Sequence, residues 1–206
     1  MTPSTPVGPR IAVLVPVKAF HLAKTRLSER LDANQRGELA RRMAAGVLAA
    51  AAPLPTFVVC DDDVVADWAA SFQATVLWRP GRGLDQAVAA GVAALASQGI
   101  ERVIVAHADL PLARSLAWAA SFDGITIVPD RRSDGTNVIS LPTNCGFRFA
   151  YGPNSYLRHA TEAHRLGLAL RVVRHAALSW DVDVPEDLAW AADGVEIPAL
   201  PISSQR

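Results

Sequence analysis

The chain is short of cysteine, of lysine and of net charge, and each shortage narrows what it can be. Cys60 and Cys145 are the only cysteines among 206 residues. They lack the close pairing of a zinc site and are too few for a disulfide framework, so both are expected to be reduced and mostly buried. Twenty Lys and Arg balance twenty Asp and Glu, which leaves no global field to draw the chain to nucleic acid or to an anionic membrane. No apolar run approaches the roughly 20 residues of a membrane helix, and Met1 to Arg10 has no apolar secretion core, so a cytoplasmic location is expected. There is no repeat of fixed period and no glycine-rich loop of the P-loop type, which excludes that nucleotide-binding class.

What is present is alternation: apolar runs of strand length are followed by segments of helical period, the pattern of an α/β fold with a largely parallel sheet. Strands are predicted at Ile11 to Val17, Thr56 to Cys60, Ala74 to Trp78, Arg102 to His107 and Gly124 to Val128. Helices are predicted at Asn34 to Ala51, Asp63 to Ser71, Leu84 to Ser97 and Leu112 to Ala120. Beyond Pro129 to Thr136, a polar turn, the rhythm changes to a strand at Asn137 to Leu141, a helix at Ser155 to Leu166 and a strand at Leu168 to Arg174, and antiparallel pairing is expected there. The expected organisation is a tail over 1–10, one domain over 11–195 and a second tail over 196–206.

In such a sheet ligands bind beyond the carboxyl ends of the strands, so the polar residues after each apolar run are the candidates. After the first strand come Lys18, Lys24 and Arg26. Only two of the twenty basic residues are lysines and both lie here, which fits a compact ammonium at a phosphate group or, more plainly, a solvated basic loop. Asp109 follows the strand ending at His107, and Asp181 and Asp183 share a face if their segment is extended. Such carboxylates suit Mg2+, which takes one or two of them plus phosphate oxygens. Asp181 or Asp183 equally suits a helix cap before Pro185, while Asp61-Asp62-Asp63 reads as capping and a solvated turn. Gly152 to Ser155 opens a helix whose free N–H groups would favour a phosphate or carboxylate, and His159 lies one turn further on the same face. His107 and His159 read as packed residues.

Together these segments resemble the CofC/FbiD guanylyltransferases. The likeness is carried by Val15-Pro16-Val17-Lys18, Ala23-Lys24-Thr25-Arg26-Leu27-Ser28, Ala108-Asp109-Leu110-Pro111, Pro129-Asp130-Arg131 with Asp134-Gly135-Thr136-Asn137, Tyr151-Gly152 to His159, and Asp181-Val182-Asp183-Val184-Pro185-Glu186-Asp187-Leu188. It runs from about Ile11 to Trp190. The resemblance implies a three-layer α/β/α sandwich around a mixed sheet, of the nucleotide-diphospho-sugar transferase type shared by glycosyltransferase-A and molybdenum-cofactor guanylyltransferase folds. It implies transfer of GMP from GTP to phosphoenolpyruvate, or to 2-phospho-L-lactate or 3-phospho-D-glycerate, in coenzyme F(420) biosynthesis. By the same resemblance Thr136, Gly152 and Ser155 hold the phosphoacid, Asp109 and Asp183 hold Mg2+, and Lys18, Lys24 and Arg26 hold the triphosphate and serve catalysis. A homodimer and a downstream transferase that receives a labile product are the further partners implied. Two positions depart from the pattern. Asn154 stands where glycine is usual and tolerates a left-handed turn, and Asp85 stands where Asn is usual, to meet a guanine edge or to cap its helix. The rivals are a molybdopterin nucleotidyltransferase, disfavoured because Pro16-Val17-Lys18 has no glycine, and a non-catalytic nucleotide-binding module.

Overall fold

The computed structural model describes residues 10–188. The expected tails, except Arg10, and the expected domain end at 195 lie outside the described residues. Eleven regular elements follow in chain order: β1 (Ile11–Pro16), α1 (Ala33–Ala51), β2 (Thr56–Cys60), α2 (Asp63–Ser71), β3 (Thr75–Trp78), α3 (Leu84–Ser97), β4 (Arg102–Ala106), β5 (Ile125–Pro129), β6 (Thr136–Pro142), α4 (Ser155–Arg165) and β7 (Leu170–Val172). Among the described residues no helix is long and apolar enough to cross a membrane.

The strands form one mixed sheet in the order β3-β2-β1-β4-β6-β5-β7. β1 lies between β2 and β4, parallel to both, and β6 runs antiparallel to β4 and β5, as the change of rhythm after Pro129 suggests. The continuous apolar run of β1 follows from burial on both faces. Val13 and Val15 pack with α1 and α2, Ala12 and Leu14 with α3 and α4, which gives the expected three layers. α1 starts where Asp32 accepts the Gln35 amide and the Gln35 side chain accepts the Asp32 amide, a reciprocal cap. α2 starts at Asp62, which accepts from Val65 N–H, so the acidic triplet does cap.

Two elements differ from expectation. Leu112 to Ala120 is not a helix: only Ala117–Ala120 forms a 3-10 turn. Upstream of it Leu116 N–H donates to Ala50 O in the last turn of α1 (2.9 Å), where helix carbonyls lack partners of their own, and Leu110, Leu112 and Leu116 are buried. This segment is an arch across α1. The expected seven-residue last strand shortens to Leu170–Val172 at the sheet edge, parallel to β5. Gly124 lets β5 and the start of β7 meet: a Cβ there would collide with Ala169 O, which accepts the Ile125 amide (2.8 Å). Gly124→Ala is therefore expected to destabilise the fold by about 3 kcal/mol, read as a lower urea midpoint; an unchanged midpoint would contradict the close approach.

A bulge sits where β6 begins. Val128 pairs with Val138 but Pro129 pairs with Thr136, so Asn137 is an extra residue. Strict alternation would put Thr136 on the α1 face beside Val138 and Asn137 on the α3–α4 face. The bulge inverts both: Thr136 meets His159 of α4 (3.0 Å) and Asn137 reaches Leu178 O on the other face (3.0 Å).

Candidate active site

A cleft of about 600 Å³ opens over the carboxyl ends of β1, β2 and β4. Lys18, Lys24, Arg79 and Arg82 line it together with His107, Ala108 and Asp109. Lys18 is exposed and follows β1 directly, as expected. Arg26 is also exposed but does not line the cleft. Arg79 and Arg82 were missed in the sequence, although Arg79-Pro80-Gly81-Arg82-Gly83 lies between a strand and a helix, where the same rule that singled out Lys18 applies.

Lys24 has a different environment from Lys18. It adopts a left-handed backbone, φ 53°, and its Nζ lies 2.6 Å from Asp109 Oδ2 and 2.9 Å from Asp183 Oδ1. Burial alone would push the ammonium towards neutrality, but the two carboxylates outweigh it and hold the Lys24 pKa above its ordinary value. Conversely, burial would raise the Asp109 pKa, and Lys24 holds it below the usual carboxylate range. Asp109 Oδ1 is buried with no hydrogen-bond partner. Asp181 is pushed up to about 6 by burial and by the neighbouring charges of Asp109 and Asp183, and Asn137 Nδ2 donates to it across 3.4 Å.

The extended segment carrying these acids is held by a residue the sequence reading left unassigned. Asp187 is wholly buried, and its Oδ2 accepts the amides of Asp183 (2.7 Å) and Val184 (2.9 Å). Its Oδ1 accepts from Arg131 and from Arg132 (3.0 Å). The cap considered for Asp181 or Asp183 is thus supplied from the other direction, which leaves the Asp183 carboxylate for Lys24. Arg131 also stacks over Trp180, 4.1 Å from the ring centroid.

Thr136, Gly152 and Ser155 gather around the start of α4. Asp134 fastens the turn before β6 to that helix: its side chain accepts from Asn154 N–H (2.8 Å) and its carbonyl from Tyr156 N–H (3.0 Å). Asn154 adopts the left-handed conformation expected of it, φ 58°. The Ser155 amide donates to Gly152 O (3.0 Å), so two of the helix amides expected to greet an anion are already engaged within the protein. Asp85 meets the same segment, accepting the Tyr151 amide at 2.6 Å and so tying α3 to it.

Between cleft and cluster runs a row of rings. The His107 and Tyr151 centroids lie 5.0 Å apart, and those of Tyr151 and His159 4.9 Å apart. His107 Nε2 and the Tyr151 hydroxyl are buried without partners. Burial lowers the His107 pKa, and burial together with Asp85 raises that of Tyr151. Native interiors rarely leave such atoms unpaired, so with Asp109 Oδ1 they mark the polar seam of the molecule.

The sheet order and the position of the cleft define a nucleotide-diphospho-sugar transferase fold. A solved chain from Desulfovibrio desulfuricans G20 assigned to that class matches with a TM-score of 0.75 at 19% identity, over 92% of this chain and 90% of that one. The family described as Guanylyl transferase CofC like matches residues 11–191, and the chain belongs to that family. Among its relatives, a phosphoenolpyruvate guanylyltransferase of Roseiflexus castenholzii is 34% identical over 87% of this chain and 86% of its own length. A 2-phospho-L-lactate guanylyltransferase of Methanocaldococcus fervens is 29% identical over 85% and 82%.

Proposed function

We propose that this chain transfers GMP from GTP to phosphoenolpyruvate, giving enolpyruvoyl-2-diphospho-5'-guanosine and pyrophosphate, as a step of coenzyme F(420) biosynthesis. The observation that carries the reading is the Lys24–Asp109–Asp183 constellation beside a basic cleft, joined through His107 and Tyr151 to the Thr136–Ser155 cluster. A phosphate oxygen of the acceptor attacks the α-phosphorus of GTP and the bond to pyrophosphate breaks. That oxygen is already largely ionised near neutral pH, so no general base is required.

The acidic pair fits a divalent cation. Its donors are hard carboxylate oxygens, one buried Asp109 oxygen has no partner, and a cation, the Lys24 ammonium, already stands between the two side chains. Among the described residues no group of three acidic, His or Cys side chains forms a metal cage. Two carboxylates suit Mg2+, which draws its remaining ligands from phosphates and water. Bound there by Asp109 and Asp183, Mg2+ would supply charge neutralisation for the phosphates. Lys18, Arg79 and Arg82 orient the triphosphate, while Thr136, Gly152 and Ser155 hold the acceptor. Bringing two unit anions to about 4 Å at an effective dielectric of about 20 costs on the order of 4 kcal/mol, which these groups offset. The reading includes a second copy of the chain as partner, a downstream transferase as recipient of the labile product, and a cytoplasmic site of action.

Pyrophosphate release with GTP and Mg2+ tests it, with phosphoenolpyruvate, 2-phospho-L-lactate and 3-phospho-D-glycerate offered separately. Release with phosphoenolpyruvate is expected. Release with another acceptor alone would reassign the substrate, and silence with all three while GTP binds would favour the non-catalytic module.

A further inference from the structure

We propose that His159 is a positioning residue whose Nδ1–H fixes the Thr136 hydroxyl as a hydrogen-bond donor towards the phosphoacid. His159 is fully buried, with Nε2 2.9 Å from Ala150 N and Nδ1 3.0 Å from Thr136 Oγ1. The geometry decides the tautomer. A backbone N–H only donates, so Nε2 must accept and is unprotonated, and the neutral ring then carries its proton on Nδ1. Thr136 Oγ1 receives that proton's hydrogen bond, which turns its own hydrogen elsewhere. The Thr136 hydroxyl donates no hydrogen bond among the described residues, so its hydrogen is left for an anionic oxygen.

Packing alone does not explain the residue. The ring sits among Phe147, Phe149 and Tyr151, with centroids 4.9 to 6.2 Å away, surroundings in which an apolar ring would satisfy the core without two buried nitrogens to match. Burial, followed by the charges of His107 and Arg158, holds its pKa at about 4, so the ring stays neutral at working pH. The β6 bulge completes the device, since without it Thr136 would face α1.

The decisive experiment compares KM for phosphoenolpyruvate, KM for GTP and urea midpoints in wild type, His159→Gln, His159→Asn, Thr136→Val and the Thr136→Val/His159→Gln pair. Asn places an amide nitrogen where Nδ1 stands and keeps the donor to Thr136, whereas Gln reaches only the Nε2 position. His159→Gln is expected to raise KM for the phosphoacid about tenfold with KM for GTP unchanged. His159→Asn should stay within about threefold of wild type, and the double variant should match Thr136→Val alone. Equal KM effects in the Asn and Gln variants, or effects that multiply in the double variant, overturn the inference. So does a His159 proton found on Nε2 in long-range proton–nitrogen correlation spectra, a readout that needs no turnover. The inference rests on Thr136 reaching the phosphoacid. A normal KM in Thr136→Val fails that reading and the inference with it, whereas an impaired Thr136→Val beside a normal His159→Gln fails the inference alone.

Discussion

Asp109→Asn is expected to reduce pyrophosphate release on the order of a thousandfold while leaving GTP binding in EDTA intact. The substitution keeps the shape but removes the charge of one of the two carboxylates that hold Lys24 and that, in the proposed function, would hold a divalent cation. Asp109 Oδ2 accepts from Lys24 at 2.6 Å, and its Oδ1 is buried with no hydrogen-bond partner. An amide would turn a donor against the ammonium or forfeit an acceptor that a metal would use. Lys24 would then keep only Asp183, whose side chain is 44% exposed and therefore a weaker partner. Loss of Mn2+ binding by electron paramagnetic resonance, with a urea midpoint showing a folded variant, would locate the defect in the acidic pair. Retention of half the turnover would remove Asp109 from the reaction.

Asp187→Ala is expected to cost both stability and turnover, although Asp187 does not line the cleft. Its carboxylate is wholly buried under four donors, the amides of Asp183 and Val184 and the guanidinium groups of Arg131 and Arg132. Alanine would leave the amides of Asp183 and Val184 without their acceptor while Arg132, 45% exposed, turns to water, a loss of about 2 to 3 kcal/mol, and would release the backbone that aims Asp183 at Lys24. The effect has a pH signature. Burial would raise the Asp187 pKa, but its amide and arginine donors outweigh this and hold it below the ordinary 3.8. A depressed folded-state pKa contributes stability above the unfolded value and loses it as pH falls through the folded one. The gap in urea midpoint between wild type and Asp187→Asn should therefore be full at about pH 7 and shrink below about pH 4. A gap independent of pH would mean that the carboxylate charge is not what holds the segment.

The elements that local rules control were readable. β1 declares itself because burial on both faces demands an unbroken apolar run, α1 because its apolar positions recur at helical spacing up to Pro53, and the Asn154 turn because few side chains tolerate its backbone. What escaped depends on partners far away in the chain. Nothing near Asp187 announces Arg131 and Arg132, and nothing near Leu112 announces that Leu116 satisfies a carbonyl of α1. The β6 bulge is invisible because one extra residue leaves the apolar pattern unchanged while reversing the faces of Thr136 and Asn137. Lys24 was legible as a residue at the site, but whether it would answer phosphate or carboxylate is decided only when Asp109 and Asp183 fold against it.

The Lys24–Asp183 contact joins positions 159 residues apart. During synthesis the lysine emerges early and the aspartate close to the end of the described fold. A ribosome that stalls before residue 183 therefore releases a chain with the basic rim of the cleft but half of the acidic pair, and with none of the Asp187 bracing. In the proposed function such a fragment would keep the basic groups that attract nucleotide and lack Asp183 and its bracing, so turnover would wait for the segment through residue 187.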